Sequence, residues 1–237
     1  MSKLVVRPTV AAFVATVCVL GVTVSAAAAT NVHSVRFAGY VGQGAPFTTA
    51  KGRLTLIRVT CPRFGYHIYP MQLRWSAVRS GLEPVVEVEV AGTTVCDNGS
   101  PSALALVGEG DERGTQVKSL DVQTGDDITA EMSYNPSTRV VALKAANPRT
   151  GQVTKVTATL TGTHSFVWAT WGLYGDPPFP SFTTIPFTGL SVNGSPAETF
   201  FPSITGYDYY RGSKLLVRAK PWNDAGRGFR LAFVASS

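Results

Sequence analysis

Beyond its first thirty residues the chain is dominated by positions that trade between apolar and polar every second residue, or by runs of β-branched side chains. Such runs occupy Arg53–Thr60, Val85–Val90, Ile128–Tyr134, Val140–Ala146, Val153–Leu160, Phe182–Leu190, Leu215–Ala219 and Phe229–Val234. A period of two is that of a half-buried strand. Turn-forming clusters separate the runs: Asp97-Asn98-Gly99, Thr124-Gly125-Asp126, Asn135-Pro136-Ser137, Arg149-Thr150-Gly151, Val192-Asn193-Gly194 and Arg211-Gly212. No stretch after the leader carries a helical period. Many short strands joined by tight turns predict an all-β fold of two packed antiparallel sheets.

The leader has its own pattern. Lys3 and Arg7 precede a mostly apolar run over Val10–Val24, and the small residues Ala26–Ala29 follow, the layout of a cleaved export signal. The same run is nearly long enough to serve as an uncleaved anchor; the small-residue end favours cleavage. The expectation is a signal peptide at 1–29, one β-sandwich domain over 30–237, a secreted or envelope-associated protein and no stable membrane span once the signal is removed. Cys18 lies in the leader, so Cys61 and Cys96 are the only cysteines left to the exported chain. An oxidising compartment joins such a pair.

Charge adds little until its distribution is considered. Two of the 21 lysines and arginines lie in the leader, and the rest exceed the 15 acidic residues by four. That excess does not by itself indicate nucleic acid, and none is expected as a partner. The cations crowd the C-terminal segment, where alternation places Lys214, Arg218 and Lys220 on one strand face and Leu215, Val217 and Ala219 on the other. A cationic outer strand of this kind suits an anionic envelope polymer, or is simply a solvated face. The segment Gly175–Phe182 contains three prolines beside Trp168, Trp171, Tyr174 and Phe179. Proline cannot donate to a sheet ladder, so a loop at the rim of the sandwich is expected there, its aromatics gripping a ligand or capping the core.

Several segments, in order, carry a resemblance: FAGYV (Phe37–Val41), PFTTAKGRLTLIRVTC (Pro46–Cys61), VEVAG (Val88–Gly92), GDDITAEMSY (Gly125–Tyr134), RTGQ (Arg149–Gln152), VWA (Val167–Ala169) and FTTIPFTG (Phe182–Gly189). Together they resemble the secreted glutamic peptidases, the eqolisins, in particular the bacterial members. The resemblance implies a concanavalin-like sandwich with a concave groove, in which a glutamine and a glutamate hold the attacking water. It places Val167, directly before Trp168, at the glutamate's position. It places Val90 at the glutamine's position if one residue is deleted before Cys96; counting back from Cys96 without a gap puts Glu89 there instead. Valine supplies neither a general base nor an oxyanion donor. Phe37, Trp75, Trp168, Trp171 and Tyr174 are expected to line the groove or its rim, and Glu89 and Glu109 are candidate substitute acids.

Other chemistries find less support. His33, His67 and His164 lie in no nucleophile or metal motif, and neither metal nor cofactor is expected. Glu109, Asp111 and Glu112 sit in a Gly-rich stretch, Gly108–Gly114, that reads as a polar loop, and Asp126 and Asp127 open a strand. Gln123-Thr124-Gly125 imitates a family motif but reads as a turn. Asn98-Gly99-Ser100 and Asn193-Gly194-Ser195 are both sequons and ordinary turns. Three functions follow: a non-catalytic binder of peptide or glycan, a glutamic endopeptidase with substituted residues, or an envelope-associated structural protein.

Overall fold

The computed structural model describes residues 31–61, 63–78, 84–111, 114–162, 164–174, 182 and 184–234. The expected leader at 1–29 and most of the Pro-rich segment, 175–181, lie outside the described residues. In chain order the strands are β1 (Val32–Ser34), β2 (Phe37–Phe47), β3 (Thr49–Thr55), β4 (Tyr66–Val78), β5 (Pro84–Asp97), β6 (Ser100–Asp111), β7 (Gly114–Leu120) and β8 (Asp127–Asn135). They continue as β9 (Val140–Asn147), β10 (Gln152–Thr159), β11 (Ser165–Tyr174), β12 (Thr184–Val192), β13 (Ser195–Pro196), β14 (Ser203–Arg211), β15 (Lys214–Ala219) and β16 (Phe229–Phe233). A single helical turn, α1 (Ala197–Phe200), interrupts them.

Alternation turns directly into layering. In β8, Ile128, Ala130, Met132 and Tyr134 are buried while Glu131 and Ser133 are exposed. In β5, Val86, Val88 and Val90 are buried and Glu87 and Glu89 are only partly so. The hydrogen-bonded order is β10-β9-β8-β3-β12-β16-β15-β14-β2-β11-β4-β5-β6-β7. The path folds over so that β3 lies on β4, β8 and β9 lie over β5, and β10 lies against β6 and β7. We call the run from β10 to β15 the back sheet and the run from β14 to β7 the front sheet. The main pairings are antiparallel, and the short β1 adds to β14 in parallel.

Aromatic rings join the two layers. Tyr40 and Trp171 of the front sheet meet Phe229 of the back sheet and the neighbouring Trp222: Tyr40 lies 4.8 Å from Phe229 and Trp171 lies 5.8 Å from Trp222, while within the back sheet Phe187 stacks on Phe229 at 4.9 Å. Pairs of this kind contribute about 0.5–1.5 kcal/mol each beyond the area they bury.

Several expected boundaries change. The run Arg53–Thr60 leaves the sheet after Thr55, because Leu56–Val59 begins the crossing from the back sheet to the front one. The Gly-rich stretch expected as a loop instead completes β6 and opens β7, so Glu109 and Asp111 stand on a strand. Strands β2, β4, β11 and β14 escaped the period-two reading because many of their outward positions are glycine or polar residues that are themselves buried or partly so. In β15, Leu216 is buried as well as Val217 and Ala219; the pairing with β14 slips at Tyr209 and Tyr210. That strand lies between β14 and β16, inside the sheet rather than at an outer edge.

Two local devices hold the connections. Cys61 and Cys96 form a disulfide with Cα atoms 5.4 Å apart and a sequence separation of 35, tying the crossing segment to β5. Asp126, almost fully buried, accepts from Gln123 N at 3.0 Å, Asn147 Nδ2 at 2.7 Å and Arg149 Nε at 2.7 Å. Burial pushes its carboxyl up, but the bonds from Arg149, Gln123 and Asn147 outweigh that and hold it below the usual range. Asp127 is occupied by Thr55 Oγ1 at 2.6 Å and Arg53 at 3.6 Å. Both aspartates are therefore structural.

Replacing both disulfide cysteines with serine should cost about 3–4 kcal/mol, the chain-entropy value for a loop of this size, read by calorimetric unfolding. A carboxyl with a depressed folded pKa contributes stability above its unfolded pKa and loses it as pH falls through the folded one. Asp126→Asn should therefore lower stability at neutral pH by ~1–3 kcal/mol, the cost of unpaired buried partners. It should also flatten the loss seen below about pH 4, near the ordinary aspartate value, when unfolding midpoints are measured across pH.

Candidate functional site

The site follows from which side chains the strand period sends out of the front sheet. In β4, Met71, Leu73, Trp75 and Ala77 fill the core, so Gln72, Arg74 and Ser76 face away from it. The register aligns these with outward positions on neighbouring strands in three rows. One runs Val41, Thr170, Arg74, Glu89; the row on one side runs Gly39, Gly172, Gln72, Ala91; the row on the other runs Gln43, Trp168, Ser76, Glu87.

Arg74 organises the centre. Its Nε donates to Glu89 Oε2 at 2.9 Å, one Nη to Glu87 Oε1 at 3.1 Å, and the other Nη to Gln72 Oε1 at 3.3 Å. Burial opposes the guanidinium's charge, but Glu89 and Glu87 overcome this and raise its pKa above the ordinary value. Gln72 is 5% exposed, and its Nε2 has no hydrogen-bond partner. A buried donor left unmade costs about 1–3 kcal/mol, a cost that this amide carries in the structure.

Beside the network lies an aromatic patch. Arg74 sits 6.0 Å from the Tyr174 ring, Tyr174 lies 4.6 Å from Phe37, and Phe37 meets Tyr207 edge-on at 5.7 Å. Phe37 can lie flat over the sheet because Gly39 and Gly172 beneath it carry no side chain; a Cβ on Gly39 would stand 2.8 Å from the ring. Burial raises the Tyr174 hydroxyl's pKa, with Arg74 pulling the other way, so the phenol stays protonated and neutral at physiological pH.

Val167 occupies a bulge. Phe166 and Ala169 are both buried, and the pairing slips between Phe166 and Trp168, so Val167 and Trp168 stand in succession on the outer side, each half-buried. Val90 does not reach this face: it is fully buried, paired with Leu73 and Val107 between the sheets. The residue that does face outward there is Glu89. Trp75 and Trp171, expected at the groove, are core residues instead, since both alternate with outward neighbours in their strands. Phe37, Trp168 and Tyr174 of that set do line the outer face. Glu109 pairs through its backbone with Val88 and Gln116; its side chain lies outside the described residues.

The remaining candidates are dispersed. His33 packs on Tyr210 at 4.1 Å, and ring nitrogens of His67 and His164 approach the carbonyls of Phe64 and Gly162. Among the described residues no group of three His, Cys, Asp or Glu is placed to hold a metal ion. Asn98 and Asn193 stand in turns with positive φ, and Asn193 Oδ1 accepts from Thr48 N and Thr49 N. Arg218 lies 3.5 Å from Asp208 and is partly neutralised. Gln72 and Arg74 were missed by sequence reasoning, although their alternation with Met71, Leu73 and Trp75 is the signal that would have placed them outward.

Comparison with known proteins agrees with the fold described above. The fold is similar to that of scytalido-glutamic peptidase bound to a peptide-based transition state analog, with a TM-score of 0.63 and 13% identity over 85% of this chain and 99% of that one. It is similar also to SCP-B, a member of the eqolisin family solved with the tripeptide Ala-Ile-His, with a TM-score of 0.60 and 15% identity over the same shares of each chain. No curated protein matches the chain by sequence. The Peptidase A4 family model matches residues 35–219, a span that contains every residue of the outer face named above. The chain belongs to the Peptidase A4, or eqolisin, family.

Proposed function

We propose that this protein is an extracellular member of the family that binds an extended peptide on the outer face of its front sheet without cleaving it. The observation that carries the reading is the triple engagement of Arg74, which gives Glu87, Glu89 and Gln72 a fixed structural partner. A general base must offer a free lone pair to water within hydrogen-bond reach of the scissile carbonyl. Val167, the residue before Trp168, has none. Glu89 gives one oxygen to the guanidinium and is oriented by it.

Binding has better support. Gln72 Nε2 is a buried donor without an acceptor, which a peptide carbonyl that displaces the groups covering it would satisfy, and the half-buried Tyr174 and Tyr207 offer apolar area on the same face. The similar structures described above hold a peptide-based analog and a tripeptide. The disulfide suits an extracellular setting. A second reading is favoured by one specific observation: Glu89 faces outward beside both an acid, Glu87, and an amide, Gln72. In that reading Glu89 replaces the lost acid and the protein is a glutamic endopeptidase.

Two measurements separate these. Incubation with unfolded protein from strongly acidic to neutral pH should give no cleavage; turnover abolished by Glu89→Gln would establish the peptidase instead. Calorimetric titration with peptides from a degenerate library should give binding that Gln72→Ala weakens roughly two- to tenfold, as expected for one hydrogen bond. Failure of the wild-type protein to bind any peptide would overturn the proposal.

A further inference from the structure

The outer face of the back sheet carries a second cleft whose character is opposite to that of the front face. Two adjoining hollows of about 350 and 190 Å³ share Lys51 and Glu131. They arise because the pairing of β12 with β3 slips between Thr188 and Ser191. Gly189 sits in that slip with φ +62°, and nothing lies within 4 Å of where its side chain would be. Thr129 and Ala146 continue the low floor across β8 and β9.

Above this floor the register sets a row of charge. Ser191, Lys51, Glu131, Lys144 and Lys155 stand opposite one another on β12, β3, β8, β9 and β10 in turn. Lys144 and Lys155 are therefore direct cross-strand partners of like charge, an arrangement that is destabilising unless an anion intervenes. Among the described residues no carboxylate comes within ion-pair distance of Lys51, Lys144 or Lys155. Arg53, one row along, is held by Asp127 at 3.6 Å. Lys118 extends the cationic line beyond β10, its Nζ donating to the Lys155 carbonyl at 2.8 Å.

The lining excludes some ligands. It contains no aromatic residue, whereas single-stranded nucleic acid is gripped by rings on which bases stack. The cations are ammonium groups on flexible stems, which serve oxyanions as point charges rather than as planar forks. With strands about 4.8 Å apart, Lys51 and Lys144 stand roughly 10 Å apart and Lys155 about 5 Å further on.

We propose that this cleft is a second binding site, independent of the outer face of the front sheet, and that it takes a flexible polyanion whose phosphate or carboxylate groups bridge Lys51, Lys144 and Lys155. The anionic-polymer contact expected from the C-terminal strand is thereby moved along the back sheet, from β15 to the lysines of β3, β9 and β10, which have no carboxylate partner among the described residues.

The test titrates the full chain with polyphosphate and, separately, with alginate at two or more salt concentrations. Binding should weaken as salt rises. The Lys51→Gln, Lys144→Gln, Lys155→Gln triple variant should bind at least tenfold more weakly, with a salt slope smaller by about two, the value for three released counterions on a single-stranded chain. A preference for polyphosphate or for alginate assigns the oxyanion, and either one supports the site. Lys144→Gln alone should lose part of the affinity while melting no lower than the parent, which excludes misfolding as the cause. A Lys214→Gln, Lys220→Gln variant should bind normally. The proposal is overturned if neither polymer binds, if the triple variant binds as the parent does, or if the C-terminal variant loses as much.

Discussion

The strict two-residue period of β4 and β5 is the constraint from which the rest of this molecule follows. Leu73 and Val90 are paired across the two strands and locked between the sheets. Their neighbours Arg74 and Glu89 consequently have no choice but to meet on the other side. A slip of one residue would drive a guanidinium and two carboxylates into an apolar interior, at a cost of several kcal/mol per ion. The core thus specifies the polar network without touching it. The same logic holds on the back sheet, where Ile128, Ala130 and Met132 face inward and so commit Glu131 to the row of lysines.

Much of this was legible in the chain. The alternation of Val86, Val88 and Val90 with Glu87 and Glu89 already separates the two faces, and β8, β9 and β10 read almost to their ends. Legibility failed where the outer face is itself partly covered. In β4 and β11, outward residues such as Gln72, Ser76 and Thr170 are nearly as buried as inward ones, so polarity no longer reports direction. Tryptophan misled for a related reason: Trp75 and Trp171 look like groove aromatics by type, yet they stand at inward parity. Resemblance to a family gives residue types in order; only the register gives the face, and a single gap before Cys96 is enough to exchange Val90 for Glu89.

The two outer faces divide the molecule's charge between them. On the front sheet Arg74 is outnumbered by Glu87 and Glu89 and flanked by rings. On the back sheet a single glutamate is outnumbered by Lys51, Lys144 and Lys155 above a floor of small residues. Both surfaces belong to one hydrogen-bonded path that runs through β15 and β14, so each ligand would sit on a rigid lattice with the other on its reverse.

The bulge at Val167 and Trp168 has an evolutionary meaning. Because the slip in pairing absorbs one residue there, the side chain at 167 is half-exposed and plugs no cavity in the core. Its chemistry is therefore nearly uncoupled from folding. The side chain at this position can change between apolar and polar while the sandwich around it keeps its stability, so a lineage can alter the surface chemistry here and retain the scaffold unchanged.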